Sequence, residues 1–461
     1  MPEDAVPRRA GLPGRPGQSV VASLIAMLVI AGSFTVYRVT SLPTAERWQT
    51  ASYDPGDYRF IAEYFWGLPY DVRTYDMEPG WPVFLQTVPF RGIGLGTAHL
   101  LVGLAATGRW PLHAADLRIT GQVFSAILKI LLAGAEWLAF VAVRRRWGRA
   151  AALVALLCLA VPPSLWRLTD DLMTEPVLRI AFILLFALAV GLDGRQRSVV
   201  AGSAIVLLLI VCVQVKSQWV LAVPLLVPVL LLECHRRGVA RRHLVTIGAL
   251  AVLAPLSLLA VNWIGWRTGA MNPGVGIHLN IRHNGEVLAS FCDGERVQGH
   301  APAICDSARP TPRWWRIYVG PAARLAEYQA LDRYALFWVR AHPRQSLTDF
   351  VEGLGLATIW PRGTHMPPPE SAVLDAIDGV VWLLLLAGLR RPDTRLPCAL
   401  ALVLWIVPAT GNVISIYDTV RGARYHLPMM GIAPAAASVV VLSVLRRRAP
   451  SLARFNPILT S

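Results

Sequence analysis

Residues 118–149, RITGQVFSAILKILLAGAEWLAFVAVRRRWGR, carry a long apolar stretch directly into a cluster of four arginines. An α-helix rises about 1.5 Å per residue, so roughly 20 apolar residues cross the hydrocarbon core of a bilayer. The apolar part, residues 118–143, is longer than that. A following arginine cluster is typical of the cytoplasmic end of a transmembrane helix. The segment therefore predicts a helix that crosses the membrane and ends on its inner side.

Nine further apolar stretches have a similar character. Hydrophobic residues make up 54% of the 461-residue chain and charged residues 16%, which suits a protein whose solvent is the bilayer. We expect an all-α polytopic membrane protein with about ten transmembrane helices. The further stretches lie near residues 19–37, 150–167, 176–192, 198–214, 218–233, 244–264, 371–389, 396–414 and 426–445.

The arginine clusters predict the topology. If the N-terminus is cytoplasmic, every later cluster alternates onto the cytoplasmic side, as the positive-inside rule requires, and the C-terminus is cytoplasmic as well. The net charge of +15 comes from these short clusters between spans, so nucleic acid is not an expected partner. The clusters are Arg8/Arg9/Arg15, Arg144/Arg145/Arg146/Arg149, Arg195/Arg197, Arg236/Arg237/Arg241/Arg242, Arg390/Arg391/Arg395 and Arg446/Arg447/Arg448.

This topology divides the chain into tails, spans and outer regions. Residues 83–107 are apolar, but one extra crossing there would place most later arginine clusters outside. We therefore expect outer juxtamembrane helices within 83–107 and 346–361. The predicted parts are a cytoplasmic tail (1–18), an N-terminal transmembrane module (19–264) with a first outer loop (38–117), an extracytoplasmic loop domain (265–345), a C-terminal module (346–445) and a cytoplasmic tail (446–461).

The loop domain holds two of the six cysteines, Cys292 and Cys305. In an oxidising compartment they could form a disulfide, and the alternative is two buried free thiols. No CxxC pattern is present, and His278, His283 and His300 lack the spacing of a usual zinc site.

Two acidic clusters are predicted on the outer side. In the first outer loop, Asp54 precedes Pro55 and Asp57, a pattern that suits an acidic N-cap. A carboxylate fixed there could also serve as a general base or bind a divalent cation. The second cluster combines Asp170 and Asp171 with Glu175, which begins the fourth span. Capping accounts for one acid of the second cluster, whereas three acids beside apolar spans favour a cation, partner or substrate nearby.

Positive charges on the same side could bind an anionic head group. Lys216 follows the fifth span, and Arg421 and Arg424 precede the last one. Phosphate is the expected partner, and snorkelling to lipid phosphates is the alternative. Within the second span, Lys129 and Glu136 share one helix face, where they form either a buried structural pair or a proton or ligand site.

In their order and sidedness, these features resemble the GT-C superfamily of membrane glycosyltransferases, in particular the protein O-mannosyltransferases and the lipid A aminoarabinose transferase. Pro55 departs from the second acid that follows the first-loop aspartate in several of these enzymes, although Asp57 could substitute for it. The residues that carry the resemblance are Asp54-x-x-x-Tyr58-x-x-x-Ala62, Glu78-Pro79-Gly80-Trp81-Pro82, Arg144 to Arg149, Thr174-Glu175-Pro176, Lys216 and Arg424-Tyr425-His426-Leu427-Pro428.

The resemblance implies transfer of a sugar from a polyprenyl-phosphate donor, with inversion, on the extracytoplasmic face of the inner (plasma) membrane. Asp54 would be the base, and Asp57, Asp170, Asp171 and Glu175 would complete the catalytic carboxylates, with a divalent cation such as Mg²⁺ or Mn²⁺ as a possible cofactor. The acceptor would be an envelope glycan, lipid or protein. Phosphate would bind Lys216, Arg421 and Arg424, and other parts of the substrates would bind Tyr58, Glu78, Tyr425 and His426.

Other functions remain compatible with the sequence. A transporter or flippase of a lipid-linked or anionic substrate would use Lys129 and Glu136 to line a path through the membrane. A polymerase or ligase of lipid-linked glycans would share the general layout of a monosaccharide transferase. A scaffold without catalytic activity is a third alternative.

Overall fold

The chain is described here from a computed structural model, over residues 16–41, 66, 93–109, 114–160, 174–192, 195–266, 279, 283, 286–297, 305, 325–356, 368–414, 429 and 431–448. The α-helices within these ranges are α1 (Pro16–Ser41), α2 (Ile93–Thr107), α3 (Ala114–Trp147), α4 (Arg149–Ala160), α5 (Thr174–Gly191), α6 (Arg195–Val215), α7 (Ala222–Arg236), α8 (Arg241–Trp266), α9 (Glu286–Val297), α10 (Leu325–Ala341), α11 (Pro343–Leu356), α12 (Pro368–Leu389), α13 (Arg395–Ile414) and α14 (Ile432–Arg448). A short 3₁₀ helix, Ser217–Leu221, joins α6 to α7.

Each of the ten predicted apolar stretches overlaps one of these helices. Within the described ranges, four helical segments are long and apolar enough to cross a membrane, and shorter apolar helices accompany them. The protein is therefore a helical membrane protein. The four long segments are Ile119–Trp147, Gln196–Val215, Ser217–Arg236 and Arg241–Ile264.

The described arginines of the clusters lie at one end of the bundle, which we call the arginine end. Arg144 donates a hydrogen bond to Ser23 of α1 (3.0 Å), and Arg146 donates to the carbonyl of Val190 at the end of α5 (2.8 Å). Arg391, after α12, donates to Ser443 of α14 (3.4 Å). The C-terminal ends of α3, α5 and α14 therefore meet the N-terminal part of α1 and the end of α12, as the alternating topology requires.

Helices α3 and α5 run parallel. Arg146 meets Val190 at the arginine end, and further along the pair Glu136 of α3 faces Arg179 of α5. This register places the start of α5 level with the middle of α3, so α3 continues for roughly 24 Å past the start of α5. The N-terminus of α5 is thus recessed inside the bundle.

Helix α2 lies at the end of the bundle opposite the arginines. Its Gly94 packs close to Gln214 at the end of α6, so that a Cβ there would lie 3.4 Å from the Gln214 carbonyl oxygen. Past its other end, Arg109 forms an ion pair with Asp116 at the start of α3 (3.8 Å). Helix α2 therefore runs alongside α3, from the level of Gln214 past the His99–Phe124 contact to the start of α3. That residues 83–107 lie at the membrane interface stays a prediction.

The region 265–345 contributes a separate small core. Cys292 and Cys305 form a disulfide with a Cα–Cα separation of 5.6 Å, which is the first of the two alternatives drawn from the sequence. The disulfide is buried with Phe291 of α9 and with Leu331 and Trp338 of α10. After α10 the chain continues into α11, which covers much of the second predicted juxtamembrane segment and exposes Leu347 and Val351.

Gly431 allows α14 to approach α4 closely. Its φ is +84°, and a Cβ at this position would overlap the carbonyl group of Cys158. We expect Gly431→Ala to cost about 2–4 kcal/mol of stability, through backbone strain and overlap with a neighbouring main chain, measured as a lower unfolding temperature of the detergent-solubilised protein.

Gly238 provides the matched control, because its φ is +74° but the space around it is open. Gly238→Ala should therefore cost only the strain, about 1 kcal/mol. Equal losses for the two variants would show that the close approach of α14 to α4 does not matter.

Candidate active site opposite the arginine end

Most residues predicted for the site lie outside the described ranges, and their arrangement stays a prediction. Two predicted site residues are described, Glu175 and Lys216, and both lie away from the arginine end. Those outside are Asp54, Asp57, Tyr58, Glu78, Asp170, Asp171, Arg421, Arg424, Tyr425 and His426.

Glu175 is the second residue of α5, and only 1% of its surface is exposed. A carboxylate in the first turn is stabilised by the unpaired amide groups and the positive end of the helix dipole. Because α5 starts inside the bundle, this carboxylate is buried within the protein. Whether Glu175 caps α5 or acts on a substrate stays a prediction.

Lys216 occupies the junction between α6 and the 3₁₀ helix. Its backbone is extended, with φ −152° and ψ 112°, so the α-helix ends here. Its amide still donates to the Cys212 carbonyl (2.9 Å), and its own carbonyl accepts from the Trp219 amide (3.1 Å). The junction is therefore a fixed break between two helical segments, and it carries a half-buried lysine.

Neighbouring helices hold this junction in place. Trp219, three residues after Lys216, is buried and packs edge-on against Phe182 of α5, with ring centroids 4.6 Å apart. Two residues before Lys216, the Gln214 side chain donates to Ser257 of α8 (2.9 Å), and Gly94 of α2 lies against its backbone. Lys216 thus lies where α2, α5, α6 and α8 converge.

A contact of the first outer loop reaches the same region. The indole N–H of Trp66 donates to the Thr97 hydroxyl of α2 (2.9 Å). Thr97 is three residues, almost one helical turn, from Gly94, which packs beside Gln214. Asp54 is twelve residues before Trp66, so it lies at most roughly 40 Å away. The loop that carries Asp54 is therefore attached to the helix that abuts the Lys216 junction.

Arg179 is a functional candidate that the sequence interpretation missed. Its exposure is 1%, it faces the buried Glu136, and its guanidinium donates to the Leu159 carbonyl of α4. The charge that acts on Glu136 comes from Arg179 of α5, a residue that the sequence analysis did not consider. A single arginine within an apolar helix was the available signal, because such a charge needs a buried partner.

Two other residues near the junction were not anticipated. His99 of α2 is buried and packs edge-on against Phe124 of α3, with ring centroids 5.5 Å apart. Gln214 connects α6 to α8, as described above. An isolated histidine or glutamine in an apolar run carries little signal, because its partner belongs to another helix.

Within the described ranges, no group of three or more His, Cys, Asp and Glu side chains is placed to hold a metal ion. His283 packs within the small core instead. Its ring lies 2.8 Å from the Gln345 amide nitrogen and 3.5 Å from the Asp349 carboxylate, and it contacts Trp338.

Comparison of the structure with solved structures identifies the architecture. The apo oligosaccharyltransferase of Archaeoglobus fulgidus matches with a TM-score of 0.50 and 12% sequence identity, over 97% of this chain and 53% of that one. The chain has the GT-C fold. It spans about half the length of the archaeal protein.

Further similar structures have lower scores. AglB of Archaeoglobus fulgidus, in complex with an inhibitory peptide and a dolichol-phosphate, has a TM-score of 0.44 at 14% identity, over 91% of this chain and 52% of that one. ArnT of Cupriavidus metallidurans, bound to undecaprenyl phosphate, has a TM-score of 0.31 at 16% identity, over 95% and 79%. No family model matches the sequence, and no curated protein matches it significantly.

The Glu136–Arg179 pair generates a prediction. Removing one partner leaves the other charge buried, so Glu136→Gln or Arg179→Met should each destabilise the protein by about 3–5 kcal/mol, measured by thermal unfolding in detergent. Combining them should cost clearly less than the sum, because the double variant leaves no unpaired charge.

Lys129→Met is the control, since Lys129 shares a face of α3 with Glu136, whereas the charge that acts on Glu136 is that of Arg179 on α5. Its effect should add to that of Glu136→Gln. The assigned pairing would be contradicted if the stability losses were additive for Glu136→Gln with Arg179→Met but non-additive for Glu136→Gln with Lys129→Met.

Proposed function

We propose that the protein is an inverting glycosyltransferase that moves a sugar from a polyprenyl-phosphate donor to an acceptor in the cell envelope. The observation that carries this proposal is the position of Lys216. In a chain with the GT-C fold, this lysine lies at a fixed helix junction, opposite the arginine end and beside the recessed start of α5.

Sidedness supports an extracytoplasmic site in the plasma membrane. Arginine clusters are retained on the cytoplasmic side, so the arginine end would face the cytoplasm. The opposite end, with Lys216 and Glu175, would then face outward, and both chain termini would be cytoplasmic. A donor carried on a polyprenyl lipid could reach such a site from within the outer leaflet.

The recess of α5 supports a site below the membrane surface. Helix α4 ends, and helix α5 begins, before the level of the first residue of α3 is reached. The segment 161–173 connects these two helix ends. Asp170 and Asp171 belong to this segment and lie within five residues of Glu175, which limits their distance from it to roughly 18 Å. An acidic cluster in this position would be near a sugar whose phosphate contacts Lys216.

The chemistry fits the residue types. Displacement at the anomeric carbon breaks its bond to the phosphate oxygen and forms a bond to the acceptor, while the acceptor hydroxyl loses a proton. In our proposal Asp54 takes this proton, and Asp57, Asp170, Asp171 or Glu175 orients the acceptor. Lys216, Arg421 and Arg424 stabilise the charge on the departing polyprenyl phosphate.

Other assignments follow from the same proposal. Tyr58, Glu78, Tyr425 and His426 would contact the substrates, and the acceptor would be a glycan, a lipid or a protein. A Mg²⁺ or Mn²⁺ ion could be held by the outer carboxylates and would add positive charge beside the phosphate, although no step above depends on it. Transport through the bundle is less well supported, because the charge of buried Glu136 is offset by that of the buried Arg179.

Replacing Asp54 with Asn tests the catalytic assignment. The variant should lose transfer by roughly 10²–10⁴-fold while it still binds the donor, because the amide cannot accept the proton. Transfer is measured as the release of polyprenyl phosphate by purified protein in the presence of acceptor. Asp76→Asn, in the same loop, is the matched control and should keep its activity. Unchanged turnover in Asp54→Asn would remove Asp54 from this role.

Lys216→Gln tests phosphate recognition. Loss of a charge-assisted hydrogen bond should weaken donor binding by roughly tenfold or more, measured by titration with the lipid-linked donor. Lys216→Arg keeps the charge and should retain most of the binding. Equal affinities for wild type and Lys216→Gln would show that the lysine does not contact the phosphate.

A further inference from the structure

The arginine end contains a buried carboxylate that is surrounded by guanidinium groups. Glu233, near the end of α7, is buried and forms an ion pair with Arg395 of α13 at 2.6 Å. Its carboxylate also lies 3.5 Å from Arg236 and 3.8 Å from Arg237. Arg395 in turn donates to the carbonyl of Leu389 at the end of α12 (2.8 Å). One guanidinium therefore connects the ends of α7, α12 and α13.

This cluster carries more positive than negative charge. Arg390 and Arg391, in the turn between α12 and α13, add two guanidinium groups to the three around Glu233. In the described segments 222–237 and 390–395, the carboxylates are Glu233 and Asp393. Arg236 and Arg390 are exposed, whereas Glu233 is buried. The cluster therefore carries five guanidinium groups against two carboxylates, and its exposed arginines give its surface a positive charge.

Apolar strips lead to the two exposed arginines. Leu232 precedes Arg236 by four residues on α7, and Leu386 precedes Arg390 by four residues at the end of α12. Residues four apart on a helix share a face. Each exposed leucine therefore lies on the same face as an exposed arginine, one helical turn further from the arginine end. Leu383, one turn earlier on α12, extends the second strip. The combination of apolar strip and terminal arginine thus occurs on α7 and on α12, whose ends Arg395 of α13 connects.

We propose that this part of the arginine end binds an anionic phospholipid. The phosphate of the head group contacts Arg236 and Arg390, and the acyl chains lie along Leu232, Leu386 and Leu383. Guanidinium groups bind phosphate with paired hydrogen bonds, and basic pockets between transmembrane helices are suited to anionic lipids.

The geometry distinguishes this site from the other arginine clusters. The positive-inside rule requires only that a loop carries arginines or lysines close to the membrane, and it does not require these side chains to adopt a particular arrangement. Here the buried Glu233 holds Arg395 in place and brings the ends of α7 and α12 together. A lipid that bridges Arg236 and Arg390 would strengthen the contact between the two halves of the chain.

Lipid-dependent stability tests the proposal. The purified full-length protein in neutral detergent is titrated with phosphatidylglycerol or phosphatidylcholine, and its unfolding temperature is followed by tryptophan fluorescence. Phosphatidylglycerol should raise the unfolding temperature, whereas phosphatidylcholine should not. Arg236→Gln and Arg390→Gln should each weaken the apparent affinity for phosphatidylglycerol by roughly tenfold, the effect of one charge-assisted hydrogen bond. Arg390→Lys should retain most of it.

Arg145→Gln is the matched control, because Arg145 is also exposed at the arginine end but belongs to α3. It should respond to phosphatidylglycerol as the wild type does. Equal stabilisation by the two lipids, an equal loss in Arg145→Gln, or an equal effect of inorganic phosphate would overturn the proposal. Should Arg236→Gln lower the initial stability, Arg390→Gln gives the deciding comparison.

Discussion

Glu136 of α3 and Arg179 of α5 are both buried, and their opposite charges attract each other across the two packed helices. Two charges inside an apolar bundle are costly unless they face each other, so a shift of α5 by one turn would separate them and leave both uncompensated. Arg179 also binds the Leu159 carbonyl of α4, which fixes three helices in one register. The recess at the start of α5, and with it the depth of Glu175, depends on this register.

The two ends of the bundle consequently differ in character. At the arginine end, guanidinium groups bind helix carbonyls, hydroxyls and the buried Glu233, and thereby hold helix ends from both halves of the chain together. At the opposite end, the helices end at different levels. The extended backbone at Lys216, the close approach of Gly94 and the recessed α5 all belong to that end. Arginine side chains thus join helix ends at one end of the bundle, whereas the uneven helix ends lie at the other.

The sequence predicts the helices well, and it also predicts that the arginine clusters gather at one end of the bundle. The stretch ending at Arg144 shows why, because hydropathy and arginine position are properties of a single segment. The partner of Glu136 was not predictable in the same way. Lys129 shares its helix face, whereas Arg179 becomes its neighbour only through the packing of α5 on α3. For the same reason, the contacts of Trp66 with Thr97 and of Gly431 with α4 could not be derived from local patterns. The cysteine pair left two alternatives that only spatial proximity could separate.

The central claim is that a polyprenyl-phosphate sugar binds opposite the arginine end, with its phosphate at Lys216. The most direct measurement is electron cryo-microscopy of the purified protein after incubation with a panel of polyprenyl-phosphate sugars. Our account predicts that at least one donor gives density beside the junction between α6 and the 3₁₀ helix, with its phosphate in contact with the Lys216 ammonium group. Absence of binding across the panel, or density whose phosphate lies at the arginine end, would contradict it.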